Sequence, residues 1–156
     1  MTMLPVPSES DWENYKDDID ASYAHDLFIG KTNDEMRVHF ERTVIERTNE
    51  LRFMPKLPFR YYMLGFKDYV LSISIPDERN LDAADAASCF IRLVEEKLNK
   101  HSDDIWPIMP DLIPAVDYVA KHQRKFGADE DIYGNFYEKT ERIKAIFENH
   151  NNRYKK

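Results

Sequence analysis

The chain has one cysteine and four glycines among its 156 residues, and both shortages exclude classes of protein. The single cysteine, Cys89, cannot form an internal disulfide, which fits a reducing compartment. So few glycines cannot build a glycine-rich phosphate-binding loop. No apolar run approaches the roughly 18 residues of a membrane-spanning helix, and residues 1–10 do not resemble a secretory signal. We therefore expect a cytoplasmic protein that does not bind a membrane.

Motifs for catalysis and for metal binding are also missing. The five histidines are scattered, and neither HExxH nor His-x3-His occurs. Glu35 and His39 lie one helical turn apart, but no second pair completes a metal site. Residues 129–134 match three positions of a calcium loop, whereas Tyr133 and Thr140 stand where ligands are required, so an acidic helix cap explains them better. We expect no catalytic, cofactor-binding or metal-binding residue, and an enzyme is the less favoured interpretation.

The formal net charge is −7, and it is unevenly distributed. Counting Lys, Arg, Asp and Glu gives −7 for residues 1–35, +3 for 36–76, −6 for 77–131 and +3 for 132–156. No stretch offers the continuous basic surface that binding to nucleic acid requires, so we expect no nucleic-acid partner. Solubility alone would explain an acidic surface, but such a surface is also complementary to a basic protein.

The apolar pattern of residues 58–75 predicts a helix at the centre of the fold. One stripe falls within an arc of about 120° and contains Phe59, Tyr62, Met63, Phe66, Tyr69, Val70 and Ile73. A second apolar set, on the opposite side, contains Tyr61, Leu64, Leu71 and Ile75. A helix with two apolar faces must be covered from two sides. Residues 71–75 also alternate as a strand would, but we favour the helix because the longer stripe has no period-two counterpart.

Helical periodicity and capping patterns predict five further helices, at about 11–28, 32–53, 82–99, 114–126 and 132–149. The first helix would bury Trp12, Tyr15, Ile19 and Tyr23, and the last would bury Ile132. The alanines of 82–99 would pack against the side of the central helix that carries Gly65. The expected fold is therefore an all-α, single-domain bundle of about six helices around the helix 58–75. A polar turn is expected at 77–80, and residues 1–9 and 150–156 are expected to be flexible tails.

Two groups of residues are candidates for binding a partner. Acidic side chains that could attract a basic protein occur at Asp17, Asp18, Asp20, Asp103 and Asp104. The proline-rich connection at 100–114 is apolar, and it must either fold onto the core or meet a partner. Within it, Trp106 and Met109 are candidate anchors, because Trp and Met are enriched at interface centres.

Two functional hypotheses follow. The first is a small acidic protein-binding module, such as an inhibitor, antitoxin or immunity protein, that neutralises a basic partner through those residues. A homodimer is a further alternative for the partner. The alternative is a small-molecule-binding protein or enzyme whose pocket is lined by Tyr61, Tyr62, Tyr69 and a histidine. The abundance of aromatic residues motivates it, since a buried phenol needs a polar partner.

Overall fold

The computed structural model describes residues 4–76 and 82–154, with side chains described up to residue 152. Over these residues the chain forms nine α-helices and three 3-10 turns and has no β-strand, so the all-α prediction is confirmed. The helices are α1 (Ile19–Phe28), α2 (Asn33–Arg42), α3 (Val44–Arg52), α4 (Lys56–Ser72), α5 (Ala83–Lys100), α6 (Ser102–Ile105), α7 (Met109–Lys121), α8 (Glu130–Tyr133) and α9 (Phe136–Tyr154). The 3-10 turns are Glu9–Trp12, Tyr15–Asp17 and Trp106–Ile108.

Helix α4 is the centre of the bundle, as its apolar stripe predicts. It packs against α2, α3, α5, α6 and α7, while α9 lies against α5 and α7. Its Phe66 ring stacks on Phe40 of α2, with centroids 5.1 Å apart, and meets Phe90 of α5 edge-on at 5.7 Å. The helix ends at Ser72 and Ile73 is extended. The competing strand signal at 71–75 therefore marks the end of the helix.

The second apolar face of α4 is only partly covered. Tyr61 is buried, Leu64 is half-buried, and Leu71 is 40% exposed. The cover over this face includes the N-terminal segment, residues 4–7, of which Leu4 packs against the core and Pro7 is buried. This segment is packed where a flexible lead-in was expected. Residues 1–3 and 155–156 of the expected tails, and the polar turn expected at 77–80, lie outside the described residues.

The prediction of one long first helix at 11–28 is wrong. Two 3-10 turns precede α1. Asp18 separates them from α1, and its backbone is extended. The carboxylate of Asp18 accepts the N–H groups of Asp20 (2.8 Å) and Ala21 (3.4 Å), so the helix starts at Ile19. The break resets the helical phase, and the buried face of α1 consists of Ala21, Ala24, His25 and Phe28.

The other predicted helices exist, with different boundaries. Thr32 and Glu35 form a capping box at the start of α2, but the helix expected at 32–53 breaks at Thr43 into α2 and α3. Gly65 faces Asn33 of α2, and not the alanines of α5 as expected. The helix predicted at 132–149 is divided by Gly134 (φ 80°), and Ile132 is 76% exposed.

The proline-rich segment at 100–114 is helical where a connecting loop was expected. It contains α6, a 3-10 turn and the start of α7, with Pro110 in the first turn of α7, where an N–H has no helical partner to lose. The segment folds onto the core, burying Ile105, Ile108, Met109 and Leu112. Among the described residues, no helix is both long and apolar enough to span a membrane.

Candidate partner-binding surface

The N-terminal part of the fold carries seven carboxylates, which we call the acidic surface: Glu9, Asp11, Glu13, Asp17, Asp18, Asp20 and Asp26. All are exposed except Asp11, which is half-buried. Over the described residues, none of the seven forms an ion pair with Lys or Arg. Other carboxylates do so, as in Arg52–Glu96 (2.7 Å), Arg142–Glu95 (2.8 Å) and Lys144–Asp117 (2.7 Å). The negative charge of residues 9–26 is therefore left open to solvent.

Some of these carboxylates have structural roles. Asp11 accepts the backbone N–H of Ser8 at 2.9 Å, and Asp18 is the N-cap of α1. The side chains of Glu13, Asp17 and Asp20 form no hydrogen bond or ion pair within the described part of the chain. These three are the carboxylates of the acidic surface that a partner can bind without breaking an existing contact.

His25 fastens the first 3-10 turn to α1. Its Nε2 atom lies 2.7 Å from Oε2 of Glu9, and its ring stacks on Tyr15 with centroids 3.7 Å apart. The Tyr15 hydroxyl donates to the other Glu9 oxygen at 2.9 Å. The hydrogen bonds from His25 and Tyr15 lower the pKa of Glu9, because they favour its charged form. The polypeptide that carries the acidic surface is thus anchored to the helix beneath it.

Two large apolar side chains project from this acidic region. Ile19 is 71% exposed and Tyr23 is 64% exposed, although both were expected in the core. They lie four residues apart in α1 and so share one helical face, which Asp26 joins three residues later. Sequence reasoning missed them because it continued the helix through Asp18. The spacing of Ala21, Ala24, His25 and Phe28 was the signal for the true buried face.

The candidates from the second segment lie on α6, on the 3-10 turn that follows it and at the start of α7. Asp103 is exposed, and Asp104 is half-buried with its carboxylate 3.4 Å from Lys97 Nζ. Trp106 is half-buried and stacks on Phe147 of α9 at 4.6 Å between centroids. Met109 is fully buried, so its side chain offers no surface to a partner in this fold.

The tyrosines of the alternative pocket are largely taken up by the core. The Tyr62 hydroxyl contacts the carbonyl oxygens of Phe28 (2.6 Å) and Lys31 (2.7 Å), and burial raises its pKa. Tyr69 is buried as well. Within the described residues, Tyr61 lines an open groove whose walls include neither Tyr62 nor Tyr69. In the part of the chain that the structure describes, the Tyr62 hydroxyl is therefore bound inside the core and does not face either chamber beside Tyr61.

The segment at 129–134 forms a helix cap. Asp129 accepts the backbone N–H of Asp131 at 2.8 Å, which begins α8. In the part of the chain that the structure describes, no group of three or more His, Cys, Asp or Glu side chains is arranged to hold a metal ion. Burial raises the pKa of the Cys89 thiol, which disfavours the nucleophilic thiolate.

In comparisons with known proteins, no family model, no curated protein and no solved structure matches this chain. The case for a function is therefore based on the surface itself.

Proposed function

We propose that the protein is a binding module that docks a basic protein partner on the face of α1, as an inhibitor, antitoxin or immunity protein would. The observation that carries the proposal is the exposure of Ile19 and Tyr23 beside carboxylates that form no ion pair with a Lys or Arg of the described residues. A large exposed aromatic side chain is costly to solvate, and Tyr is among the residues that contribute most to binding at interfaces.

The two kinds of side chain have different roles in this mechanism. Glu13, Asp17 and Asp20 attract a basic partner from a distance and accelerate association, an effect that added salt weakens. Ile19 and Tyr23 then lose contact with water beneath the partner, which slows dissociation. Trp106 is a weaker anchor than expected, since one face of its ring already packs against Phe147.

The test uses a matched pair of double variants. Ile19→Ser/Tyr23→Ser removes the proposed anchors, and Ile132→Ser/Tyr137→Ser removes the same residue types at 76% and 65% exposure on α8 and α9. Tagged wild type and both variants are used to capture proteins from the native lysate at about 50 mM salt, where surface charges are only weakly screened. We expect a basic protein to be retained by the wild type and by the α8/α9 variant, and lost from the α1 variant.

The affinity for the captured partner is then measured with purified proteins. Asp17→Asn/Asp20→Asn should lower the association rate and reduce its dependence on salt, while leaving the dissociation rate nearly unchanged. Capture of the same proteins by the α1 variant as by the wild type would contradict the proposal. So would binding that strengthens as salt is added.

A further inference from the structure

A groove runs along the second apolar face of α4, where the fold covers it incompletely. It consists of two chambers of about 560 Å³ and 520 Å³. The two chambers share five of their lining residues, which are Leu4, Pro5, Tyr61, Leu64 and Asp111. Their volumes fall in the range of about 300–1,000 Å³ that is typical of small-molecule sites. The N-terminal segment, α4 and α7 together therefore form a concave, mostly apolar site.

Tyr61 is held in a fixed position at the base of this groove. Its hydroxyl oxygen accepts the backbone N–H of Asn33 at 3.1 Å, and its carbonyl oxygen accepts Nδ2 of Asn33 at 2.9 Å. The hydroxyl proton of Tyr61 is not used in either bond, so it can be donated to a ligand. The groove thus has an ordered polar group among its apolar walls.

Asp111, in the first turn of α7, supplies a carboxylate to both chambers. It is half-buried, and over the described residues it forms no hydrogen bond and no ion pair. A carboxylate without a partner in the wall of a groove can accept hydrogen bonds from a bound cation. Asp111 is therefore a hydrogen-bond acceptor that the groove can offer to a ligand.

The net charge of the larger chamber also favours a cation. Asp11 lines it together with Asp111, and the one basic residue among the described residues of its wall is Arg60. The Arg60 guanidinium is bound to the carbonyl oxygens of Asp104 (2.9 Å) and Asp103 (2.8 Å), which fixes it at the rim. Two carboxylates against one guanidinium leave a negative site, which disfavours an anion.

We propose that this groove binds an amphipathic primary amine, with its ammonium group at Asp111 and its apolar body against Leu57, Leu64 and Ile108. The N-terminal segment lines both chambers and contributes Leu4 and Pro5 to the contact with the body of the ligand. This site is distinct from the face of α1 that carries Ile19 and Tyr23, and it does not depend on the proposed function.

The test compares three probes of equal chain length by calorimetric titration of the full chain at pH 7: n-octylammonium chloride, n-octanol and sodium octanoate. The two ionic probes are used below their micellar concentrations, and octanol is used below its solubility limit. We expect octylammonium to bind about tenfold more tightly than octanol, because a hydrogen bond to a charged group is stronger than one between neutral groups. Octanoate should bind most weakly.

A matched pair of variants locates the site. Asp111→Asn should lower the affinity for octylammonium about tenfold and leave that for octanol unchanged. Asp117→Asn is the control, because it makes the same change on the same helix at a carboxylate that pairs with Lys144 and does not line the groove. Leu64→Ser should weaken the binding of octylammonium and octanol alike, and circular dichroism confirms that each variant is folded.

Three results would overturn the proposal: no heat of binding with octylammonium at millimolar concentration, equal affinity for the three probes, or an Asp111→Asn variant that binds octylammonium as the wild type does. Ile19→Ser/Tyr23→Ser should leave the binding of octylammonium unchanged. Failure of the groove proposal and failure of the partner-binding proposal are therefore separate outcomes.

Discussion

Lys97 places an ammonium group inside the bundle, and its replacement measures how the core tolerates a buried charge. The side chain is 1% exposed, with Nζ 4.5 Å from the centroid of the Phe59 ring and 3.4 Å from Oδ2 of Asp104. Burial lowers the pKa of Lys97, and the charge of Asp104 is the largest effect that opposes this shift. Lys97→Met keeps an unbranched side chain of similar length and removes the charge.

The expected effect of Lys97→Met is small because the contributions nearly cancel. Unit charges 3.4 Å apart attract by about 5 kcal/mol at an effective dielectric constant of about 20, while removing an ammonium group from water costs several kcal/mol. Asp104 keeps 25% of its side chain exposed, so it stays solvated without Lys97. We expect the free energy of unfolding at pH 7 to change by less than about 1.5 kcal/mol. Lys97→Ala also removes the packed stem and should cost about 2–4 kcal/mol.

The same shift predicts a dependence on pH. Because the pKa of Lys97 lies below its usual value of 10.5 in the folded protein, the folded state loses this proton at a lower pH than the unfolded chain does. The stabilising contribution from this shift is therefore fully present above pH 10.5 and is lost as the pH falls through the folded-state pKa. Relative to Lys97→Met, the wild type should gain stability as the pH rises through that window.

Urea unfolding of both proteins, followed by circular dichroism at several values of pH from about 7 to about 10.5, measures these differences. Lys97→Ala serves as the control for loss of packing. A Lys97→Met protein that is less stable than the wild type by more than about 3 kcal/mol at pH 7 would refute the reasoning. So would two stability curves that run parallel across the alkaline range.

Three further substitutions test local features. Gln123→Leu removes the side-chain amide that binds the backbone groups at 128, 134 and 136 at 2.7–3.0 Å. The free energy of unfolding, measured with urea, should fall by about 2–4 kcal/mol. An unchanged free energy of unfolding would contradict this. Gly65→Ala should destabilise the protein by about 1–3 kcal/mol despite the better helix propensity of Ala, because the new methyl group overlaps the Asn33 side chain. A variant with a higher melting temperature than the wild type would show that the Asn33 side chain moves away freely. Glu9→Gln removes a carboxylate whose pKa is held below its usual 4.5 by the hydrogen bond from His25. The wild type should therefore be more stable than the variant above pH 4.5, and it should lose that advantage as the pH falls through the lowered pKa. Melting temperatures that differ equally at pH 3 and pH 7 would exclude this role for Glu9.

The sequence by itself determined the features that depend on neighbours within a few residues. The capping box of Thr32 and Glu35 joins groups in one helical turn, and Met36 and Phe40, four residues apart on α2, are buried. The central position of α4 followed from its two apolar faces. Each of these is visible in the pattern because helical geometry relates residues three or four apart.

Only the tertiary structure decided the candidate sites. Ile19 and Tyr23 were expected in the core, and their exposure follows from the break at Asp18, which changes the helical phase. The helical periodicity of α5 places Lys97 on its apolar stripe. Its burial, however, depends on Phe59 and Asp104 from other elements. The groove joins Leu4, Tyr61 and Asp111 from three distant parts of the chain. Contacts between residues so far apart depend on how the helices pack, which no local pattern records.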